Sequence, residues 1–231
     1  MSIVETRISS YIDHTLLKPV CRFAEIEQLC REAVQYGFAA VCVPPYAVNH
    51  ALNETKTGKV KTATVVGFPM GYSSTQAKLD ECRQAMEDGA DELDVVINLM
   101  ALKNEQWNYL EAEMSELVAA IHQKRKIIKV IVESGLLNRE EIIHCCRLYG
   151  KMEIDFMKTS TGYAEKGASV ADVELMRKEL PAGVQIKASG GIRTYTFARE
   201  LVAAGASRIG CSAGVAIVGQ EKEWLTQEKR T

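Results

Sequence analysis

Short runs of β-branched and apolar residues alternate along this chain with longer segments whose apolar positions recur every three or four residues. The first pattern predicts strands and the second predicts helices. Strands are expected over Tyr11–Thr15, Ala39–Val43, Lys61–Val66, Glu92–Ile97, Ile127–Val132, Ile154–Lys158, Val184–Ala188 and Arg208–Cys211. Helices are expected over Phe23–Tyr36, Thr75–Glu87, Gln106–Lys124, Arg139–Tyr149, Val170–Glu179 and Tyr195–Ala204. Ser74 and Asn138 stand where N-caps belong, and Gly89, Gly150 and Gly205 stand just past helix ends. About eight βα units in 231 residues is the arithmetic of an α/β fold closed as a single (β/α)₈ TIM barrel. No linker or change of composition interrupts the rhythm, so residues 1–231 are expected to form one domain. The competing architecture, an open doubly wound sheet, lacks its G-x-G-x-x-G signature after the first strand.

The strands carry charge where a helix-covered parallel sheet should be apolar. Asp94 interrupts Leu93–Ile97, Lys129 interrupts Ile127–Ile131, Lys158 closes Ile154–Lys158, and Lys187 follows Val184-Gln185-Ile186. Alternation puts Lys158 on the face of Phe156 and Lys187 on the face opposite Ile186 and Ala188, so both lysines can point into a barrel mouth. Asp13, Asp94 and Glu133 fall near comparable ends of the first, fourth and fifth strands. One such lysine would be read as a strand end reaching for water. Two on adjacent strands, at the end where barrels build active sites, suggest chemistry.

A free lysine, with a pKa of about 10.4, needs roughly 4–5 kcal/mol of differential destabilisation to titrate near neutrality. Desolvation contributes, and a second ammonium about 6 Å away adds roughly 3 kcal/mol at an effective dielectric near 20. The product is a nucleophilic amine that converts a carbonyl into an imine. Asp94 can then move protons through a bound water.

Ser189-Gly190-Gly191 follows the seventh strand and Gly210-Cys211-Ser212-Ala213-Gly214 spans the end of the eighth, where barrels often hold a phosphate. Thr159 opens a polar loop directly after Lys158. Gly190, Gly191, Gly210, Ser212, Ser189, Lys129 and Thr159 are the expected substrate-binding set, beside a catalytic set of Lys158, Lys187 and Asp94.

Composition narrows the alternatives. A net charge of -2, from 28 Lys+Arg and 30 Asp+Glu without long runs of one sign, offers no nucleic-acid or anionic-membrane footprint. No apolar stretch approaches a membrane span, and Glu5 and Arg7 stand where a signal peptide would be apolar, so the cytoplasm is the expected location. Seven cysteines without a C-x-x-C pair, and His14, His50, His122 and His144 scattered, predict neither a disulfide framework nor a metal site. No metal or organic cofactor is expected.

The motifs Asp13-His14-Thr15-Leu16-Leu17, Val66-Gly67-Phe68-Pro69, Glu92–Asn98, Lys129–Glu133, Lys158-Thr159-Ser160-Thr161-Gly162, Lys187–Arg193 and Arg208-Ile209-Gly210, in this order, closely resemble deoxyribose-phosphate aldolases over about residues 10–218. The resemblance implies a class I aldolase that reversibly cleaves 2-deoxy-D-ribose 5-phosphate into D-glyceraldehyde 3-phosphate and acetaldehyde, without cofactor, in deoxyribose phosphate catabolism. It implies that Lys158 forms the Schiff base, Lys187 tunes it, and Asp94 donates and accepts the proton. Its partners would be phosphosugar and aldehyde substrates, with a homodimer or homotetramer as the assembly. Two departures stand out: Glu221–Thr231 lacks the terminal tyrosine of some relatives, and Cys211 replaces a common Thr or Ser.

Two other functions compete. A phosphosugar isomerase or metal-dependent aldolase on the same fold would use a carboxylate base or a histidine cluster. A non-catalytic sugar-phosphate-binding regulator would need no activated lysine.

Overall fold

The computed structural model describes residues 7–56 and 58–228. Eight parallel strands close in sequence order into a barrel: β1 Ile12–Thr15, β2 Ala40–Val43, β3 Lys61–Val66, β4 Glu92–Val96, β5 Ile127–Ile131, β6 Phe156–Lys158, β7 Gln185–Ser189 and β8 Arg208–Cys211, with β8 pairing back onto β1. The helices are α1 Phe23–Tyr36, α2 Val48–Thr55, α3 Thr75–Glu87, α4 Leu99–Lys103, α5 Trp107–Gln123, α6 Arg139–Tyr149, α7 Val170–Glu179, α8 Tyr195–Ala203 and α9 Gly214–Glu228. The fold is the (β/α)₈ barrel that the alternation predicts. Closure removes the sheet edge, and the strands' outward faces pack with the helices into one continuous apolar layer.

Local signals act where the sequence places them. Ser74 accepts from Ala77 N at the start of α3, and Asn138 and Glu141 form a capping box at the start of α6. Three helices are additions to the expected set. In α2 and α4 the runs are too short to show a period, and α9 begins with the strand-like Val215-Ala216-Ile217-Val218. Of the tail, residues 221–228 lie in α9, where Glu221 accepts from Ile8 N at 2.9 Å; residues 229–231, like Glu5, lie outside the described residues. Among the described residues no helix is long and apolar enough to cross a membrane.

One buried ion pair fixes the strand that matters most for the site. Lys78 of α3 donates to Val96 O at the end of β4 and to Glu113 Oε2 of α5, at 2.9 and 3.0 Å, with both side chains buried. Burial lowers the Lys78 pKa, with Glu113 opposing. Glu113→Ala leaves this ammonium in the interior without its counter-ion, at a cost of about 3–5 kcal/mol. The melting temperature should fall by on the order of 10 °C. A calorimetric shift under about 2 °C would show the pair to be dispensable.

Candidate active site

Barrel interiors are ordinarily filled by Val, Ile and Leu. Here β4 to β8 and β1 turn charged groups inward: Glu92 and Asp94, Lys129, Lys158, Lys187, Arg208 and Asp13, all buried except the partly exposed Arg208. Lys129 Nζ contacts Glu92 Oε2 at 2.6 Å, Asp94 Oδ1 at 2.8 Å and Asp13 Oδ2 at 3.5 Å. Arg208 pairs with Asp13 at 2.5 Å and with Glu92 at 2.9 Å. Above them Lys187 Nζ meets Asp13 Oδ2 at 2.5 Å and Asp94 Oδ2 at 2.7 Å, and Lys158 Nζ meets the same Asp94 oxygen at 2.8 Å. Two lysines on adjacent strands, directly opposite in register, thus share one carboxylate oxygen.

The formal charges of the cluster can be counted. Among the described residues, Asp13, Glu92 and Asp94 face three cations other than Lys158, namely Lys129, Lys187 and Arg208. The cluster is electrically balanced with Lys158 as a free amine and carries one excess positive charge with Lys158 protonated. In agreement, the Lys158 pKa is lowered, chiefly by burial and further by the Lys187 charge, against the pull of Asp94. At Lys187 burial also works against the charged form, but Asp13 and Asp94 outweigh it and the pKa rises. Asp94 lies well below the carboxylate range because Lys129, Lys158 and Lys187 together overcome its desolvation. A buried network of this kind stabilises a fold poorly compared with packed aliphatic side chains, so its presence argues for a functional centre.

Lys158 is the member of the network that reaches a cavity of about 380 Å³, walled by Leu16, Leu17 and Lys18 after β1, Thr161, Gly162 and Tyr163 after β6, and the loops after β7 and β8. The floor is built to fit. A Cβ at Gly210 would stand 2.9 Å from Ser189 Cβ and 3.0 Å from Lys187 Cε, so the glycine leaves room for the Lys187 stem. Gly191, at φ 76°, has open space where a Cβ would project. Beside Lys158 the β6 loop is clamped by Glu133, whose buried carboxylate accepts from Thr161 N at 3.2 Å and from Thr161 Oγ1. Burial raises the Glu133 pKa, with these hydrogen bonds and the Lys158 charge opposing.

A sequence profile of the DeoC/LacD aldolases matches residues 7–219. The chain belongs to the DeoC/LacD aldolase family. It is 50% identical over 214 residues to a deoxyribose-phosphate aldolase from Thermococcus gammatolerans, spanning 91% of this chain and 95% of the relative. To the corresponding enzyme of Caldicellulosiruptor saccharolyticus it is 46% identical over 220 residues, 95% of this chain and all of the relative. The tetrameric deoxyribose phosphate aldolase from Aeropyrum pernix superposes with a TM-score of 0.87 at 32% identity, over 93% of this chain and 91% of that one.

Of the residues expected from sequence, Lys158, Ser189, Gly190, Gly191, Gly210 and Ser212 line the cavity. Lys187 and Asp94 lie beneath it, in contact with Lys158 or with its carboxylate partner. Lys129 does not line the cavity: its ammonium is spent on Glu92, Asp94 and Asp13 inside the barrel. Thr159 is likewise withdrawn, its Oγ1 donating to Ser189 O and accepting from Ser189 N. Cys211 does line the cavity, with its thiol pKa raised to about 12 by burial. The histidines stand elsewhere, His14 on Glu32, His50 near Glu27, His122 on Asp155 and His144 stacked on Trp107. Glu92 and Arg208 belong to the network yet were absent from the expected set. Strand parity was the available signal, since each stands two residues before an inward-facing position, Asp94 or Gly210.

Proposed function

We propose that the chain is a Schiff-base aldolase that reversibly cleaves 2-deoxy-D-ribose 5-phosphate to D-glyceraldehyde 3-phosphate and acetaldehyde, with Lys158 as the nucleophile. The observation that carries the assignment of Lys158 is its position. It is the lysine of the buried network that reaches the cavity wall, its pKa is lowered, and its neutral form balances the charge beneath it.

The free amine attacks the C1 aldehyde, and the carbinolamine takes up a proton relayed by Asp94 and loses water to give the protonated imine. That cation draws the electrons of the C2–C3 bond as the C3 hydroxyl releases its proton, so glyceraldehyde 3-phosphate departs and the enamine of acetaldehyde stays on Lys158. The proton released by the C3 hydroxyl returns to C2, and addition of water frees acetaldehyde and the amine and releases the proton taken up when the imine formed. Asp94 is held ionised, so it receives protons only transiently and passes them on; the lasting proton of the pair stays on Lys187, across the shared oxygen. The phosphate is read by Ser189, Gly190, Gly191, Gly210 and Ser212 at the ends of β7 and β8.

Borohydride added with acetaldehyde, followed by peptide mass spectrometry, should leave an ethyl group on Lys158. No adduct, or an adduct on another residue, would reject the reading in favour of a binding protein or a different nucleophile. The phosphate assignment has its own test. Gly191→Ala puts a methyl group into open space on the cavity wall, so it should weaken deoxyribose 5-phosphate much more than unphosphorylated deoxyribose. Backbone strain at φ 76° affects both substrates alike, so equal losses would place the phosphate elsewhere. We further infer an assembly of two or four copies, by analogy with the tetrameric relative. Sedimentation equilibrium showing a monomer at micromolar concentration would reject it.

A further inference from the structure

The barrel interior is chemically lopsided. Opposite the charged strands, β2 and β3 turn in Ala40, Cys42, Ala63 and Val65, a buried cluster separate from the main core and covered by Leu17 and Phe68. This patch lies beside the charged network: Val65 stands opposite Asp94 in register, and the Cys42 thiol, raised mainly by burial, feels the charges of Lys187, Asp94 and Lys158. Its cover is braced across the mouth. The Tyr163 hydroxyl donates to Leu17 O at 2.7 Å, joining the loops after β6 and β1, and the Tyr163 ring meets Phe68 edge-on at 5.4 Å. Tyr163, Leu17 and Lys158 all line the same cavity, and the patch and Phe68 back that wall through Leu17 and Tyr163.

Resting on the aldolase reading above, we propose that this apolar patch and its cover, Val65, Phe68, Leu17 and Tyr163, select the donor aldehyde by what C2 carries. With C1 bonded to Lys158 and the phosphate at the β7 and β8 loops, the substituents of C2 face β2 and β3. Two hydrogens fit there. A methyl group collides with the braced cover, and a hydroxyl loses its water against Ala, Cys and Val side chains that offer no strong acceptor. The same wall thus disfavours three-carbon donors and favours a 2-deoxy sugar over its 2-hydroxy counterpart.

The test compares donors in condensation with glyceraldehyde 3-phosphate. Phe68→Ala should raise the propanal-to-acetaldehyde ratio of kcat/KM by about tenfold or more, the scale of one methyl group in a pocket. Phe68→Leu, a milder change that keeps an apolar cover, should move it the same way by less. Val65→Thr places a hydroxyl in the patch at nearly constant shape and should raise the glycolaldehyde-to-acetaldehyde ratio by about tenfold. Ratios unmoved in the folded Phe68 variants, or a Val65→Thr protein that still rejects glycolaldehyde as before, overturn the proposal. Failure of the parent protein to trap acetaldehyde on Lys158 would instead sink the aldolase reading, so the two failures are distinguishable.

Discussion

Lys158→Arg should abolish turnover, with a loss of at least about a thousandfold in kcat for deoxyribose 5-phosphate. Arginine fills similar space and keeps N–H donors beside Asp94, so the loss is expected in the chemistry before the packing. It does not lose its proton in proteins, however, and a guanidinium cannot supply the amine for an imine. The charge count sharpens the expectation. With a permanently protonated guanidinium in place of the Lys158 amine, the buried cluster of Asp13, Glu92 and Asp94 against Lys129, Lys187 and Arg208 carries the excess positive charge that the native protein sheds. Borohydride with acetaldehyde should then leave no adduct at position 158. A variant that retains a tenth of the parent's turnover would show that Lys158 acts through its charge and that the nucleophile lies elsewhere.

The barrel was legible because the strands are short, mostly apolar runs and most of them are separated by helices of clear period, and the bounds of β3, β8, α1, α3, α6 and α7 agree residue for residue with the expected ones. Lys158, Lys187, Lys129 and Asp94 announced themselves as charges in strands that should have none. What one-dimensional reading could not separate was depth. Lys129 and Lys187 look alike in sequence, yet three carboxylates hold Lys129 inside the barrel while Lys187 stands opposite Lys158 in register. The donor-side wall is less visible still, because Tyr163 meets Leu17 across 146 residues and no local pattern marks either end of that contact. Gly210 could be read as part of a phosphate turn, but its second service, making room for the Lys187 stem, appears only when β7 lies beside β8.

Lys187→Leu should move the pH–rate profile to higher pH. In the native cluster Lys187 is the third cation, and its charge both repels a proton on Lys158 and satisfies Asp13 and Asp94. Leucine approximates the aliphatic bulk and removes the charge. Asp13, Glu92 and Asp94 then face only Lys129 and Arg208 among the described residues besides Lys158, so charge balance favours the protonated form of Lys158. Two changes act in the same direction: the repulsion ends, and Asp94, which raises the Lys158 pKa, becomes less neutralised. Two charges about 6 Å apart at an effective dielectric near 20 interact by roughly 3 kcal/mol, or about two pKa units, so a shift of one unit or more should be readily measured. The limb of kcat/KM that reports loss of the Lys158 proton should move alkaline, with part of the neutral-pH loss recovered at higher pH. Recovery will be incomplete, because the proton held across the shared Asp94 oxygen is also lost. The rate of acylation of Lys158 as a function of pH measures the same titration without turnover. Burial is the largest influence on Lys158 and survives the substitution, so the pKa stays below that of a free lysine unless Asp94 overrides it. An unchanged Lys158 pKa in a folded Lys187→Leu protein would leave desolvation alone as the source of activation and end the electrostatic role assigned to Lys187.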